Sequence, residues 1–124
     1  MGTFSVNIEV GDLSGREFRK LSATVDTSAT YTVIPRNVLN GLGVEPIDVV
    51  PFELADDGVV KCEGGEARLR LDRRERIVLM VFGPENGTPL LGATAPELFN
   101  RAVDPVRQKL VPVTALLKTY LSRH

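Results

Sequence analysis

Short segments in which apolar and polar residues alternate recur along this chain, separated by turn signals. In the clearest of them, TFSVNIEV, one face carries Phe4, Val6, Ile8 and Val10. Alternation with a period of two is typical of a strand that buries one face. Because many such segments follow one another closely, the sequence predicts a mainly β domain, a small and largely antiparallel barrel or sandwich.

Helices are predicted in only a few places. Pro35 opens PRNVLNGLG and suits a first helical position, with Gly41 or Gly43 ending the helix. In TAPELFNRA, Thr94 precedes Glu97 by the spacing of a capping box, so a second helix is predicted there.

The length of 124 residues suits one domain. We expect residues 1–112, which contain the predicted strands, to form it. The last segment, VTALLKTYLSRH, repeats apolar residues at helical spacing. Residues 113–124 are therefore predicted to be an amphipathic helical extension.

Two glycine-containing segments predict turns in the middle of the chain. Asp57-Gly58 lies between the extended segments IDVVPFEL and VVKC. Asp-Gly in that position is a strong hairpin signal. The segment EGG, Glu63 to Gly65, predicts another turn before the alternating segment EARLRL.

Composition argues against several kinds of site. Fifteen Lys and Arg nearly balance sixteen Asp and Glu, and the basic cluster DRRER contains its own acids, so no nucleic-acid partner is expected. One cysteine, Cys62, permits no internal disulfide, and with one histidine, His124, it cannot build a zinc site within a protomer. A Ser-His or Cys-His catalytic pair would need the terminal His124 to fold back. We expect no metal and no cofactor.

No stretch of the sequence predicts a leader or a membrane span. The longest apolar run, IVLMVF, is far too short to cross a bilayer. The N-terminal segment MGTFSVNIEV lacks a basic region followed by a long apolar core. A cytoplasmic location is the resulting expectation.

A single carboxylate, Asp26, ends one apolar run shortly before another in ATVDTSATYTVIP. If both flanking strands are buried, an unpaired charge there is costly, so either its pKa rises or a partner is supplied. The next three residues, Thr27, Ser28 and Ala29, are small and permit close approach of backbone or substrate. Taken alone, the pattern is also that of an ordinary turn, where Asp is common.

Three features together resemble the aspartic peptidases of the retroviral type. Their active-site loop reads hydrophobic-hydrophobic-Asp-Thr-Gly-Ala or -Ser, and residues 24–29 read TVDTSA. A later strand in those enzymes ends hydrophobic-hydrophobic-Gly before a helix, as Leu90-Leu91-Gly92 does before ATAPELFNRA. A hairpin flap lies between the two motifs, where this chain has FELADDGVVKC. The resemblance spans about residues 3–112, and VDTSATYTVIP, LLGATAPELF and VDPVRQKLVP look like the prokaryotic single-lobe retropepsin-like family.

The resemblance implies a small closed antiparallel β-barrel with one or two short helices, acting as a homodimeric aspartic endopeptidase. One Asp26 from each protomer would form a dyad that shares a proton and activates a water for attack on the peptide bond. Thr27 would hydrogen-bond across the dimer and hold the two loops rigid, and Ala29 would line the cleft.

The predicted flap would close over an extended peptide or protein substrate. Its residues are Ala55, Asp56, Asp57 and Gly58. One departure from the family is Ser28, where glycine is usual; serine is tolerable only if the backbone there does not need a positive φ. The alternative to an active peptidase is therefore a catalytically weak or inactive peptide-binding or dimerisation module.

Overall fold

The computed structural model describes residues 3–53 and 56–113, and within them the chain is mainly β, as predicted. The strands are β1 (Phe4–Gly11), β2 (Phe18–Val25), β3 (Thr32–Pro35), β4 (Asp48–Glu53), β5 (Val59–Leu71), β6 (Arg74–Gly83), β7 (Leu90–Leu91), β8 (Arg101–Asp104) and β9 (Lys109–Pro112). The helices are α1 (Arg36–Gly41) and α2 (Thr94–Leu98). No helix within these ranges is long and apolar enough to cross a membrane.

Seven strands form one sheet in the order β1-β2-β7-β3-β6-β5-β4, and a further pairing joins β1 to β5. The hairpin pairs are antiparallel, as predicted. Two pairs depart from the expected antiparallel arrangement, since β7 runs parallel to β2 and β3 runs parallel to β6. The short strand β7 lies between β2 and β3, and it is parallel to β2 and antiparallel to β3.

The core lies on one face of the alternating strands. Ile8 and Val10 of β1 are 2% and 0% exposed, which confirms the face predicted from TFSVNIEV. Phe4 and Val6, nearer the start of the strand, are partly buried against the same core. The helix α1 contributes the fully buried Leu39.

The turn predicted at EGG is wrong. Strand β5 continues through it, with Gly64 paired to Val81 and Gly65 to Met80 of β6. A Cβ on Gly65 would lie 2.5 Å from the backbone oxygen of Glu45. The glycine therefore permits a close approach of two backbones and makes no turn.

The helix α2 begins at Thr94, where the predicted segment begins, whereas α1 begins at Arg36 because Pro35, predicted as a first helical residue, is the last residue of β3. After α1, Gly43 has a φ of 75°, a left-handed conformation that glycine adopts without strain at the end of a helix. The helix predicted over TAPELFNRA is wrong in its second half, because α2 ends at Leu98. Asn100 then has a φ of 56°, which turns the chain out of the helix and into β8.

The strands β8 and β9 form a separate two-stranded sheet. Arg101 fixes this hairpin to the main sheet, since its Nη2 and Nε donate to Oδ2 of Asp72 at 2.7 and 2.9 Å. The helix predicted for residues 113–124 falls outside the described residues, apart from Val113. The N–H of Val113 donates to the backbone oxygen of Asn100 at 3.0 Å.

Candidate active site

Asp26 lies directly after β2, at the end of the sheet where the neighbouring strands β2 and β7 both have their last residues. Because the two strands are parallel, with Val25 opposite Leu91, the two motifs singled out in the sequence meet at their carboxyl ends. The N–H of Asp26 donates to the backbone oxygen of Leu91 at 3.2 Å. Thr27 and Ser28 form the exposed turn that follows.

Gly92 lies against the loop that carries Asp26. A Cβ at this position would lie 2.5 Å from the carbonyl carbon and oxygen of Tyr31, and 2.7 Å from the oxygen of Thr30. Its N–H donates to the Thr32 hydroxyl at 3.3 Å. Only a residue without a side chain fits this contact, which explains why the second motif ends in glycine.

Two further hydrogen bonds fasten the loop to the start of α2. The N–H of Ala93 donates to the oxygen of Ala29 at 2.7 Å. The hydroxyl of Thr94 donates to the oxygen of Thr30 at 3.1 Å. The sequence predicted that Thr94 caps its helix, whereas its hydroxyl contacts the loop.

The carboxylate of Asp26 is half-exposed and takes two hydrogen bonds from Ser28. The Ser28 hydroxyl donates to Oδ1 at 2.6 Å, and the Ser28 N–H donates to the same oxygen at 2.9 Å. These two bonds hold the pKa of Asp26 below its ordinary value, and the bond from the hydroxyl contributes most to the lowering. The sequence offered two expectations for Asp26, a pKa raised by burial or a partner for the charge. In the single chain the first is wrong, and Ser28 meets the second by donating two hydrogen bonds to the carboxylate.

Serine at position 28 does not strain the backbone. Among the described residues, the non-glycine positions with positive φ are Asp57, Asp72, Arg73, Asn86, Asn100 and Gln108. Ser28 is not one of them, so the loop accepts a Cβ where aspartic peptidases of the retroviral type usually have glycine.

A cleft of about 490 Å³ opens beside the loop. Its walls include Ser28, Ala29, Tyr31, Val33, Phe52 and Leu90. The rings of Tyr31 and Phe52 stack with their centroids 5.6 Å apart and their planes 18° apart. This contact connects the loop that carries Asp26 to β4. The cleft thus combines apolar and aromatic side chains with hydroxyl groups, and one of these, that of Ser28, contacts the carboxylate of Asp26.

The hairpin predicted as a flap is formed by the antiparallel pair β4 and β5, and residues 56–58 lie directly before β5. Ala55 lies outside the described residues. Asp56 and Asp57 are exposed, and Asp57 has a φ of 68°. The N–H of Gly58 donates to Oδ1 of Asp56 at 3.0 Å, so the polar groups of this segment form the turn itself.

Sequence reasoning missed Tyr31, Phe52 and Thr32. Thr32 is 4% exposed, and its hydroxyl accepts the hydrogen bond from Gly92. A signal for Phe52 is its spacing of two from the buried Val50, which places both side chains on one face of β4.

Within residues 3–53 and 56–113, no three His, Cys, Asp or Glu residues are grouped so as to hold a metal ion.

Comparisons with known proteins identify the fold. No family model and no curated protein matches the chain. Among solved structures, the protease of simian foamy virus superposes with a TM-score of 0.53 at 19% identity, covering 79% of this chain and 100% of its own. EIAV protease in complex with an inhibitor gives 0.53 at 16% identity, covering 89% of this chain and 93% of the protease.

A protein of unknown function from Legionella pneumophila also superposes with a TM-score of 0.53, at 16% identity over 90% of this chain and 95% of its own. At such identities the likeness concerns the fold alone. This chain has a fold similar to that of retroviral proteases, and the similarity covers most of its length.

Proposed function

We propose that this chain is an aspartic endopeptidase that acts as a homodimer. The observation that carries the proposal is the setting of Asp26, a partly exposed carboxylate whose hydrogen-bond partner Ser28 lines a cleft, in a fold similar to that of retroviral proteases. Peptide hydrolysis of this kind needs a base and an acid together. The residues of the adjoining cleft wall carry hydroxyl and apolar groups, so a second copy of the chain supplies the second carboxylate.

In the proposed dyad, two Asp26 carboxyl groups lie in contact across a two-fold axis. Since two neighbouring negative charges repel, the pair holds one proton and titrates as a unit. The ionised member takes a proton from a water whose oxygen attacks the carbonyl carbon, while the protonated member donates its proton to the carbonyl oxygen. The carboxyl group that took the proton from water then donates it to the amide nitrogen, the other carboxylate takes a proton from a hydroxyl of the diol intermediate, and the C–N bond breaks to leave an acid and an amine.

The proposed substrate is an extended peptide or protein segment lying between the Asp26 loop and the hairpin of β4 and β5. The apolar and aromatic wall formed by Val33, Phe52 and Leu90 favours apolar side chains beside the cut. The hairpin acts as a flap that excludes water when it closes. In the same proposal, residues 1–112 form a single lobe with its sheet closed as a barrel, and residues 113–124 form a helical extension.

The dimer is tested by the mass of the protein in solution. We expect sedimentation equilibrium to give twice the 13.5 kDa of the chain at concentrations that cleave denatured casein. A pepstatin-type inhibitor should block that cleavage. The specific activity should fall on dilution, as dimers dissociate. Undiminished activity in a strictly monomeric sample contradicts a dyad shared between copies, and a dimer that never cleaves supports the binding module.

The stack of Tyr31 on Phe52 gives a prediction about substrate binding. We expect Tyr31→Ala to raise KM for apolar peptides by between about two-fold and ten-fold, the equivalent of about 0.5–1.5 kcal/mol for an aromatic pair. The value of kcat should change little, because the hydrogen bonds that hold the carboxylate of Asp26 come from Ser28, which the substitution leaves in place. Tyr31→Phe keeps the ring and serves as the control in the same steady-state assay. An unchanged KM in Tyr31→Ala would remove these rings from the binding site.

A further inference from the structure

We propose that Ser28 is a positioning residue of this site, whose hydroxyl fixes the Asp26 carboxylate through Oδ1 and favours its ionised form. The catalytic part of this inference rests on the proposed function. The part that concerns the carboxylate itself does not, because it follows from contacts within one chain.

The geometry of the contact supports a role in orientation. Two donors of one residue converge on Oδ1, the hydroxyl at 2.6 Å and the N–H at 2.9 Å. The shorter distance falls in the range typical of a hydroxyl that donates to a carboxylate. With Oδ1 engaged twice, Oδ2 is the oxygen that can face a water and the second Asp26.

The hydroxyl is separable from the rest of the loop. The backbone of Asp26 is held independently, since its N–H donates to the oxygen of Leu91 and its own oxygen accepts the N–H of Ala29 at 3.1 Å. The N–H of Ser28 would also remain if glycine or alanine stood there. Ser28 is exposed, so removing its hydroxyl empties no part of the core. What serine adds at this position is the second hydrogen bond to the carboxylate.

The electrostatic consequence has a definite sign. A donor to the ionised carboxylate lowers its pKa, and the Ser28 hydroxyl is the largest cause of the lowering at Asp26. Removing it therefore moves the pKa of Asp26 upward. In a homodimer both copies lose the bond at once, so both macroscopic ionisations of the dyad shift in the same direction. The pH profile of kcat/KM should move towards higher pH.

The same local pattern is also found in a turn away from the cleft. In the turn between β1 and β2, the Ser14 hydroxyl donates to the carboxylate of Asp12, again two residues earlier. The pKa of Asp12 is lowered, with that hydroxyl as the largest cause. The pattern is thus a turn motif in itself, and its place beside the cleft gives Ser28 its role. Ser14→Ala is the matched control.

The test combines a titration with kinetics. The ¹³C signals of the aspartate carboxyl groups are followed against pH by NMR, with the Asp26 signal assigned through Asp26→Asn. We expect Ser28→Ala and Ser28→Gly to raise the midpoint for Asp26, and Ser14→Ala to raise only that for Asp12. Thermal melting checks that every variant is folded. If Ser28→Ala leaves the midpoint for Asp26 unchanged, the inference is wrong, whether or not the protein cleaves peptides.

In the kinetic arm, kcat/KM on the acidic side should fall several-fold in both Ser28 variants and stay at the wild-type value in Ser14→Ala. Equal effects of alanine and glycine would assign the change to the hydroxyl rather than to the Cβ. A shifted titration with an unshifted rate profile would overturn the catalytic part of the inference. Absence of peptidase activity in the wild type would overturn the proposed function, and the titration would still decide the role of Ser28.

Discussion

Asp26→Asn is expected to abolish peptide hydrolysis, with kcat/KM falling by at least about 10³-fold, because it removes the acid and the base of the reaction together. The fold should persist, since the amide oxygen of Asn can still accept the hydrogen bonds that Ser28 donates to Oδ1. Initial rates on a fluorogenic peptide measure the loss, and sedimentation shows whether the dimer remains.

The control for this variant is Asp12→Asn. Asp12 also accepts a hydroxyl and backbone N–H groups within a turn, but that turn lies between β1 and β2. We expect wild-type rates from it. Cleavage by Asp26→Asn at the rate of Asp12→Asn would refute the proposed dyad.

Mixing wild-type and Asp26→Asn chains extends the experiment to the dimer. If both carboxyl groups are needed and subunits exchange, only dimers of two wild-type chains are active. At constant total protein, an equal mixture should then retain about one quarter of the activity, whereas independent monomers would retain about half. Retention of half after full exchange would contradict a shared site.

The second large effect is expected from Gly92→Ala. The added Cβ would lie 2.5 Å from the carbonyl of Tyr31 and 2.7 Å from the oxygen of Thr30, which are backbone atoms of the loop that carries Asp26. Such overpacking costs roughly 1–3 kcal/mol, because the chain has to shift to relieve it. We therefore expect a lower midpoint of urea denaturation, and a loss of activity as the loop is displaced.

Gly64→Ala is the matched control for Gly92→Ala. Its Cβ would first meet Cδ1 of Leu79 at 3.3 Å, the end of a flexible side chain that can rotate away. Its denaturation midpoint should stay close to that of the wild type. If the two variants unfold at the same urea concentration, the contact at Gly92 does not have the importance assigned to it.

The parts of the fold that depend on local pattern were predictable. Alternation located the buried face of β1, with Ile8 and Val10, and Asp57-Gly58 located the hairpin of β4 and β5. Gly65 misled the prediction because a glycine required by distant backbone looks the same in sequence as one required by a turn. Its reason, the oxygen of Glu45, becomes visible only when the chain is folded.

The candidate site was predictable in its parts and not in its connections. Resemblance to a family brought Asp26 and Leu90-Leu91-Gly92 together, and no periodicity could have done so, because the parallel pairing of β2 with β7 is a long-range contact. The stack of Tyr31 on Phe52 depends on the course of two separate segments. The direction of the Ser28 hydroxyl depends on a side-chain torsion, which residue type alone does not determine.

The hydrogen bonds that fasten the Asp26 loop to Leu91, Ala93 and Thr94 all lie within one chain. Half of the proposed catalytic centre is therefore pre-organised before any second copy arrives. In the proposed dimer, association would therefore have little loop entropy to overcome, since ordering a flexible segment opposes binding. Folding and assembly would then be separate steps, and substitutions at the contact between copies would alter how tightly they bind while leaving the shape of each half-site intact.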